Sequence, residues 1–529
     1  VESIVQAKAA LRPAMAAWTR FDAGEFTKTR RWTFRSGTEQ RDPFGDLTVR
    51  ANMHPGHQNP NAIGESGPTD PWFTLLSIRG LDGRPIGVFG NFSMHYLSGH
   101  AGVSADYFGH YVRLLAQQLA PGDPKFVAIL SQGTSGDLWR GDYSKPKPEV
   151  DVTIEQYAGR LAELSARALG AAKFSSEVPL AMAEERLTIG RRVPDENRLQ
   201  WARGIVEKMA GRRPKDKQEV YAEQAIYLHD NPETEVVLQA IRIGDLGINT
   251  MPNEVYGLTG LKMKYRSPLP VTMTVELANG ASGYIPPPEQ FVLGGYNTWP
   301  ARTAGLVPGA EPLIVETNVK LLEKVSGRPA PQYREPASPY ALAVLKARPK
   351  AYWRLGDLDG VQPADVAAGQ WQARFEPGVV FHLPGVGEGR CAHFAGGRLA
   401  AKVEQDLADY TVAFWFWNGV RHDARAVAGY LFSRGSNGEV NAAGEHLGIG
   451  GTHRHGGRLI VYNGNEKKAL LAGKTELGLR KWHHVALVRK GNEIVVHLDG
   501  REEIRGELEA THGGAREVFF GGRNDHFSN

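Results

Sequence analysis

The sequence predicts two domains of different fold class: an α/β domain with a mixed sheet over residues 1–330 and an all-β sandwich over residues 341–529. Three observations support this prediction. A chain of 529 residues has room for about two to four domains. Strand-like and helix-like runs alternate up to residue 330, whereas short strand-like runs separated by Asn, Asp and Gly follow residue 341. The Pro-rich segment 331–340 lies between the two patterns and indicates a linker.

Composition excludes several classes of protein. Hydrophobic residues make up 41% of the chain and charged residues 23%, which is ordinary globular usage. The net charge of +4 is too small to indicate a nucleic-acid partner. No apolar run approaches the roughly 18 residues of a transmembrane helix, so we expect no membrane span. The single cysteine, Cys391, excludes an internal disulfide framework.

The chain opens with Val1 inside an apparent amphipathic helix over residues 1–11, without a charged and then apolar leader. We therefore expect that the sequence lacks its natural beginning. The alternative is a processed mature N-terminus. We also expect an extracellular or periplasmic location, with the signal segment not visible in this chain.

The first domain is predicted element by element. Strands over 73–78 and 86–92 flank a turn at Asp82-Gly83. A helix follows Ser104, which is a favourable N-cap, and a short buried strand covers 125–130. A long helix covers 151–169, and a hairpin joins strands over 235–243 and 246–251.

The second domain is predicted as a series of short strands over 410–417, 430–433, 459–462, 483–489, 493–498 and 518–520. In the first of these, the period of two places Trp415 and Trp417 on one face and Phe414 and Phe416 on the other. The alternative is that all four rings pack in the core, as most aromatic residues do.

Few side chains are candidates for chemistry, since the sequence contains none of the common hydrolase or nucleotide-binding motifs. His95 follows a strand end, where active sites often lie, although a structural histidine is the alternative. The loop 131–137 presents backbone N–H groups and the side chains of Ser135 and Asp137, or is simply a tight turn. Glu254 follows another strand, where it could also serve only as a favourable charge at a helix start.

Five segments taken in order, 91–95, 103–107, 133–137, 248–254 and 277–285, resemble the neutral/alkaline non-lysosomal ceramidase family over nearly all of residues 1–330. The closest similarity is to ceramidase-like proteins of environmental bacteria. The resemblance implies a zinc ion held by two histidines, a glutamate and a tyrosine. His95, Glu254 and Tyr284 match three of these ligands. The first histidine of the family lies upstream of the part equivalent to Val1, so we expect one zinc ligand from a missing N-terminal segment.

The sequence departs from this family in one functional loop. Trp139 stands where the family has a serine proposed to take part in cleavage, which weakens the expectation of serine catalysis and of ceramide as the substrate. Asp137 could orient a water molecule or a ligand, and Ser135 lies in the same loop. Arg30 aligns with an Asn-Arg segment of the family and could bind a carbonyl or oxyanion. The alternative for Arg30 is a solvated surface residue.

The C-terminal region resembles the laminin-G/concanavalin-A-like jelly-roll family over about 185 residues. The resemblance rests on the aromatic strand 410–417 and on the segment 481–488 followed by 494–500. It implies a glycan as a partner and Ca²⁺ as a possible second ion, although no calcium ligand set can be assigned to residues of this chain.

Together these features predict a zinc-dependent hydrolase that cleaves an amide bond in a lipid or other N-acyl substrate. The predicted catalytic residues are Arg30, Ser135 and Asp137. The sandwich would bind a glycan or a surface. The alternative function is a non-catalytic carbohydrate-binding protein in which the first domain is a degenerate hydrolase scaffold.

Overall fold

The computed structural model describes residues 2–97, 102–367, 371–403, 408–438, 442–464, 470–511, 514–527 and 529. The strands before residue 331 are β1 (Ala14–Asp22), β2 (Lys28–Thr29), β3 (Arg31–Phe34), β4 (Gln40–Arg41), β5 (Leu47–Val49), β6 (Ala51–Met53), β7 (Ala62–Glu65), β8 (Trp72–Gly80), β9 (Pro85–Phe92), β10 (Val127–Gln132), β11 (Leu138–Trp139), β12 (Leu180–Gly190), β13 (Glu233–Ile243), β14 (Leu246–Thr250) and β15 (Val271–Val275). The helices there are α1 (Glu2–Ala9), α2 (Asp106–Leu119), α3 (Ile154–Gly170), α4 (Glu196–Met209), α5 (Lys217–Asp230), α6 (Gly257–Arg266), α7 (Glu289–Leu293) and α8 (Ala310–Ser326).

Two four-stranded sheets of the same topology form the centre of the first domain. Their strand orders are β1-β8-β9-β10 and β12-β13-β14-β15. In each sheet the first three strands are antiparallel and the last pair is parallel. A helix, α2 in one case and α6 in the other, lies between the two parallel strands in the sequence, as a parallel pair requires.

These sheets pack face to face and helices cover their outer faces, which gives four layers. The inner faces meet through Leu76, Ile248 and Met273. On the outer side of the first sheet, Leu75 packs with residues of α2 and α3, and α8 covers the second sheet through Ile314. Leu75 and Leu76 point to opposite faces because successive side chains alternate along a strand. The predicted α/β class with mixed sheets is confirmed.

The second domain is a two-sheet sandwich, as the sequence predicts. Its elements are α9 (Pro339–Lys346), β16 (Ala373–Phe375), β17 (Val379–Pro384), β18 (Arg390–Phe394), β19 (Leu399–Lys402), β20 (Tyr410–Trp417), β21 (Val427–Arg434), β22 (Glu445–Gly450), β23 (Leu459–Asn463), β24 (Leu470–Ala472), β25 (Trp482–Lys490), β26 (Glu493–Leu498), β27 (Arg501–Glu507) and β28 (Glu517–Phe520). A seven-stranded sheet, β16-β19-β28-β21-β22-β23-β24, packs on a four-stranded sheet, β20-β25-β26-β27.

Strand β20 follows the predicted alternation. Phe416 is buried at 7% exposure and belongs with Phe414 to the sandwich core, while Trp415 is 38% exposed. Trp415 pairs with His484 across β20 and β25. The four rings therefore do not all pack in the core, because the outer face of this sheet is open at Trp415.

The two domains share an extensive interface. Leu258 and Leu261 of α6 belong to the same buried apolar cluster as the sandwich core. The Lys262 ammonium lies 3.1 Å from the Asp359 carboxylate of the second domain. Residues 331–340 pack on both domains, since the Tyr333 ring lies 4.9 Å from that of Tyr265 in the first domain and 5.3 Å from that of His382 in the second. In the described part of the chain, no helix is both long and apolar enough to cross a membrane.

Candidate active site

The candidate site lies where the parallel strands of both sheets end. His95 follows β9, the loop 133–137 follows β10, Glu254 follows β14, and Tyr284 comes after β15. The two sheets meet at this end, because the Glu276 backbone N–H donates to the Gln132 carbonyl oxygen at 3.2 Å. Loops that leave parallel strands gather at one edge of a sheet, which explains how residues so far apart in the sequence come together.

The two sheets carry equivalent asparagines just before this edge. Asn91 of β9 donates to the Ser131 hydroxyl on β10 at 3.0 Å, and Asn249 of β14 donates to the Thr274 hydroxyl on β15 at 3.1 Å. Asn91 also donates to the Thr274 carbonyl oxygen of the other sheet at 3.0 Å. These bonds fasten the ends of the sheets to each other, so the loops that carry the candidate residues start from a fixed frame.

Arg30 lies at the centre of the site. Its Nη2 is 2.9 Å from the Gly136 carbonyl oxygen, 3.4 Å from the Tyr284 hydroxyl and 3.6 Å from Glu254 Oε2. Only 4% of Arg30 is exposed, so it is not a solvated surface arginine. The segment that contains it is fixed by backbone hydrogen bonds from Arg30 to the Asp137 carbonyl oxygen and from His54 to the Arg30 carbonyl oxygen.

Glu254 and Tyr284 form an oxygen-rich pair beside this guanidinium. Burial raises the pKa of Glu254, while Arg30 and the Tyr284 hydroxyl act in the opposite direction. Burial also raises the pKa of Tyr284, which is therefore a neutral phenol. Glu254 Oε2 is buried and forms no hydrogen bond. A buried carboxylate oxygen without a hydrogen-bond partner is costly, so this atom is poised to accept a proton, a donor or a cation.

His95 stands at the rim and is half-buried. Burial, followed by the charges of Arg30 and His54, lowers its pKa to about 4, so the ring is neutral at pH 7. Its Nδ1 accepts the Tyr96 backbone N–H at 3.0 Å. The ring centroid lies 6.0 Å from that of Trp139.

Asp137 and Ser135 lie beneath these groups. Asp137 is fully buried, and its Oδ1 accepts the Gly257 N–H at 2.8 Å, which ties the loop to the first residue of α6. Burial raises the pKa of Asp137 to about 6, and its Oδ2 has no hydrogen-bond partner. The Ser135 hydroxyl donates to the buried carboxylate of Glu276, so it is engaged below the site.

Three neighbours of the site were not singled out from the sequence. Tyr296 lies 3.4 Å from the Tyr284 hydroxyl, and Glu276 holds the loop after β10. His54 bonds Tyr143 at 2.5 Å and packs against Trp139. The only sequence signal for His54 is the segment His54-Pro55-Gly56-His57, in which two imidazoles flank a turn dipeptide.

His95, Glu254 and Tyr284 offer the kinds of donor atom that a zinc site requires. Zinc prefers imidazole nitrogen together with carboxylate or other oxygen ligands. Glu254 and Tyr284 fit, since the carboxylate has an orphaned buried oxygen and the phenol lies beside it. His95 fits once its Nδ1 gives up the Tyr96 N–H, because that contact leaves the hydrogen of the neutral ring on Nε2. Among the described residues, no group of three or more His, Cys, Asp or Glu converges as a metal cluster.

Known proteins are similar to this chain over residues of both domains. A family model described as the concanavalin A-like lectin/glucanases superfamily matches residues 395–529. No curated protein matches the chain. Among solved structures, neutral ceramidase from Pseudomonas aeruginosa is similar at 12% identity, with 96% of this chain and 78% of that chain covered and a TM-score of 0.41.

Carbohydrate-binding and laminin domains are also similar to part of the chain. A module of a Ruminococcus gnavus sialidase bound to α2,3-sialyllactose shares 17% identity over 23% of this chain and 77% of that chain, with a TM-score of 0.18. Domains LG4-5 of the mouse laminin α1 chain share 16% identity over 25% of this chain and 33% of that chain, with a TM-score of 0.18. The structural neighbours of the chain thus include neutral ceramidases, and its C-terminal residues match a concanavalin A-like family.

Proposed function

We propose that the protein is a zinc-dependent hydrolase that cleaves the amide bond of a lipid or other N-acyl substrate. The observation that carries this proposal is the meeting of Arg30, Glu254 and Tyr284 at the ends of the two sheets, with Nη2 of Arg30 at 3.4 Å and 3.6 Å from the two oxygen groups. A buried cation beside a carboxylate and a phenol is an arrangement suited to a carbonyl that gains negative charge.

Zinc would be held by His95, Glu254 and Tyr284, and when bound it supplies Lewis-acid polarisation of the amide carbonyl. The chain's own residues account for the rest. Arg30 would stabilise the negative charge that develops on the carbonyl oxygen, and its burial makes this interaction stronger than in water. Asp137 fixes the start of α6 and the loop whose Gly136 carbonyl orients Arg30, so it is a positioning residue.

The test is metal content and hydrolysis of short N-acyl substrates by the full chain supplied with zinc. We expect Glu254→Gln to lower kcat at least about 100-fold and to reduce bound zinc, because the variant loses an anionic ligand. Glu163→Gln is the matched control, since Glu163 is an exposed residue of α3 whose ion-pair partner is the exposed Arg160 of the same helix. Turnover without zinc, or turnover unchanged in Glu254→Gln, would contradict the proposal.

A second candidate function is glycan binding by the sandwich. It is favoured by Trp415, which is 38% exposed and has the rings of Tyr340 and His484 beside it at 6.3 Å and 5.2 Å. Exposed aromatic faces can stack on the apolar faces of sugar rings. If the chain hydrolyses no N-acyl compound but binds oligosaccharides in a way that Trp415→Ala abolishes, this second function is the correct one.

A further inference from the structure

A second imidazole, that of His54, lies beside the candidate site. It follows β6 in a left-handed backbone conformation with φ of +54°, which few residues other than glycine adopt. Its backbone N–H donates to the Arg30 carbonyl oxygen at 2.7 Å, so the residue is fastened directly to Arg30, which lies between β2 and β3. The residue as a whole is nevertheless exposed to solvent, although its ring is partly buried at Tyr143.

The ring of His54 is held on two sides. Its Nδ1 is hydrogen-bonded to the buried Tyr143 hydroxyl at 2.5 Å. Its centroid lies 5.7 Å from that of Trp139 with the planes at 86°, while His95 lies 6.0 Å from the same indole at 85°. The two imidazoles thus pack edge-on against one tryptophan. Among the described residues Nε2 has no hydrogen-bond partner, so it is the nitrogen left for a substrate or a water molecule.

We infer that His54 is the proton-transfer residue of the amide hydrolysis and that Tyr143 is its positioning residue. This inference rests on the proposed function. Backbone strain of this kind is kept where the surroundings fix it and is common at functional sites. An exposed imidazole in an unfavourable backbone conformation, locked through one nitrogen, has the features expected of an oriented acid–base group.

The step balances as follows. With Nδ1–H donating to the Tyr143 hydroxyl, Nε2 of neutral His54 takes a proton from water while the water oxygen bonds to the carbonyl carbon. His54 then gives this proton to the amide nitrogen as the C–N bond breaks, so a carboxylic acid and an amine leave and the ring is neutral again. Partial burial of the ring, followed by the charge of Arg30, lowers the pKa of His54, which favours the neutral ring.

The experiment compares the full chain with His54→Ala on a short N-acyl substrate in the presence of zinc. We expect kcat to fall about 100- to 10,000-fold, the usual range for loss of a general base, with little change in KM. Because His54 is exposed, free imidazole should reach the vacated position and restore part of kcat in a saturable way. Tyr143→Phe should lower kcat less, since the ring loses its orientation but remains present.

His229→Gln is the matched control, because His229 is a histidine of α5, outside the candidate site, with its Nδ1 3.0 Å from Asp230 Oδ1, and the kcat of this variant should be unchanged. If His54→Ala is poorly folded by circular dichroism, His54→Gln serves in its place with the same expected loss. An active chain whose His54 variants keep full kcat would overturn the inference alone. A loss of kcat that imidazole does not relieve would overturn it too, since it would mean a structural role. A wild-type chain inactive on every N-acyl substrate would overturn both proposals.

Discussion

Buried charges are paired differently in the interior of the sandwich and at the candidate site of the first domain. In the sandwich, the Arg398 guanidinium holds the Glu376 carboxylate through two hydrogen bonds at 2.6 Å and 2.7 Å, and Arg523 holds Asp525 in the same way at 2.9 Å and 2.6 Å. At the candidate site, Arg30 reaches Glu254 only at 3.6 Å. The sandwich pairs have the bidentate geometry that offsets the cost of burying charge, whereas the pair at the site does not.

This difference separates charges that stabilise a fold from charges that are available for chemistry. Glu254 Oε2 and Asp137 Oδ2 are buried without a hydrogen-bond partner, and the pKa of both carboxyl groups is raised by that burial. Carboxyl groups with raised pKa values are suited to proton transfer or to binding a cation near neutral pH. Incomplete hydrogen bonding thus distinguishes these two carboxyl groups from the Glu376 and Asp525 carboxylates of the sandwich.

The largest effect is expected from breaking a complete pair. Arg398→Met would leave the Glu376 carboxylate without its cation in a largely buried position, and removing one partner of a buried pair costs about 3–5 kcal/mol. We expect the free energy of unfolding of the sandwich in urea to fall by that amount, while kcat on N-acyl substrates stays the same.

The double variant Arg398→Met/Glu376→Gln supplies the control, because it removes both charges and should recover much of the loss. If the single variant lowers the free energy of unfolding by less than about 1 kcal/mol, the Arg398–Glu376 pair is no stronger than a surface ion pair. The contrast with the candidate site then disappears.

A smaller effect on the free energy of unfolding is expected at Asp137, where stability depends on pH. Its pKa in the folded chain is about 6, against an ordinary value of 3.8, so the folded state binds this proton more tightly than the unfolded state. Stability from this group is therefore greatest below pH 4 and declines as the pH rises to 6, by about 3 kcal/mol at most. Asp137→Asn should flatten the dependence, because an amide does not titrate and can still accept the Gly257 N–H. Urea unfolding of the wild type and the variant between pH 4 and pH 7 measures the difference between them, and a difference that does not change with pH would contradict the assignment.

Strands and the alternation of side chains along them could be predicted from the sequence, because they depend on residues that are close together in the chain. Strand β9 is predicted over 86–92 and runs from Pro85 to Phe92, because its alternation and the Asp82-Gly83 turn are local signals. The alternation in β20 was predicted for the same reason, and Phe416 lies inside while Trp415 lies outside. The shared topology of the two central sheets has no such local signal and appears only in the strand pairing.

The residues that depend on distant partners could not be placed from the sequence. From the sequence, Arg30 could also be a surface residue. It contacts Gly136, Glu254 and Tyr284, which are more than 100 positions away, so no local pattern indicates that it is buried. His54 was not predicted as a site residue, because its hydrogen-bond partner Tyr143 is 89 positions away in the sequence. Composition indicated a linker over 331–340, yet Glu335 in that segment is ion-paired with Arg354 at 3.0 Å. Composition describes the preference of a segment for loops but not what it packs against.

The smallest effect is expected for Asp359 at the boundary between the domains, where Lys262 has one buried and one exposed partner. Lys262 is buried and lies 3.1 Å from both carboxylate oxygens of Glu311, which is also buried, and 3.1 Å from Asp359, whose side chain is 54% exposed. Asp359→Asn should therefore cost less than about 1 kcal/mol, since a pair open to solvent is weak and Lys262 keeps its other partner. Glu311→Gln should cost about 3–5 kcal/mol, because it leaves the lysine with only the exposed carboxylate. Urea unfolding of both variants at low and at high salt checks the order, and salt should erase the Asp359 effect first. If both variants lose the same free energy of unfolding, the domain interface shields Asp359 from solvent. The Lys262–Asp359 pair would then be as strong as the buried ion pairs of the sandwich.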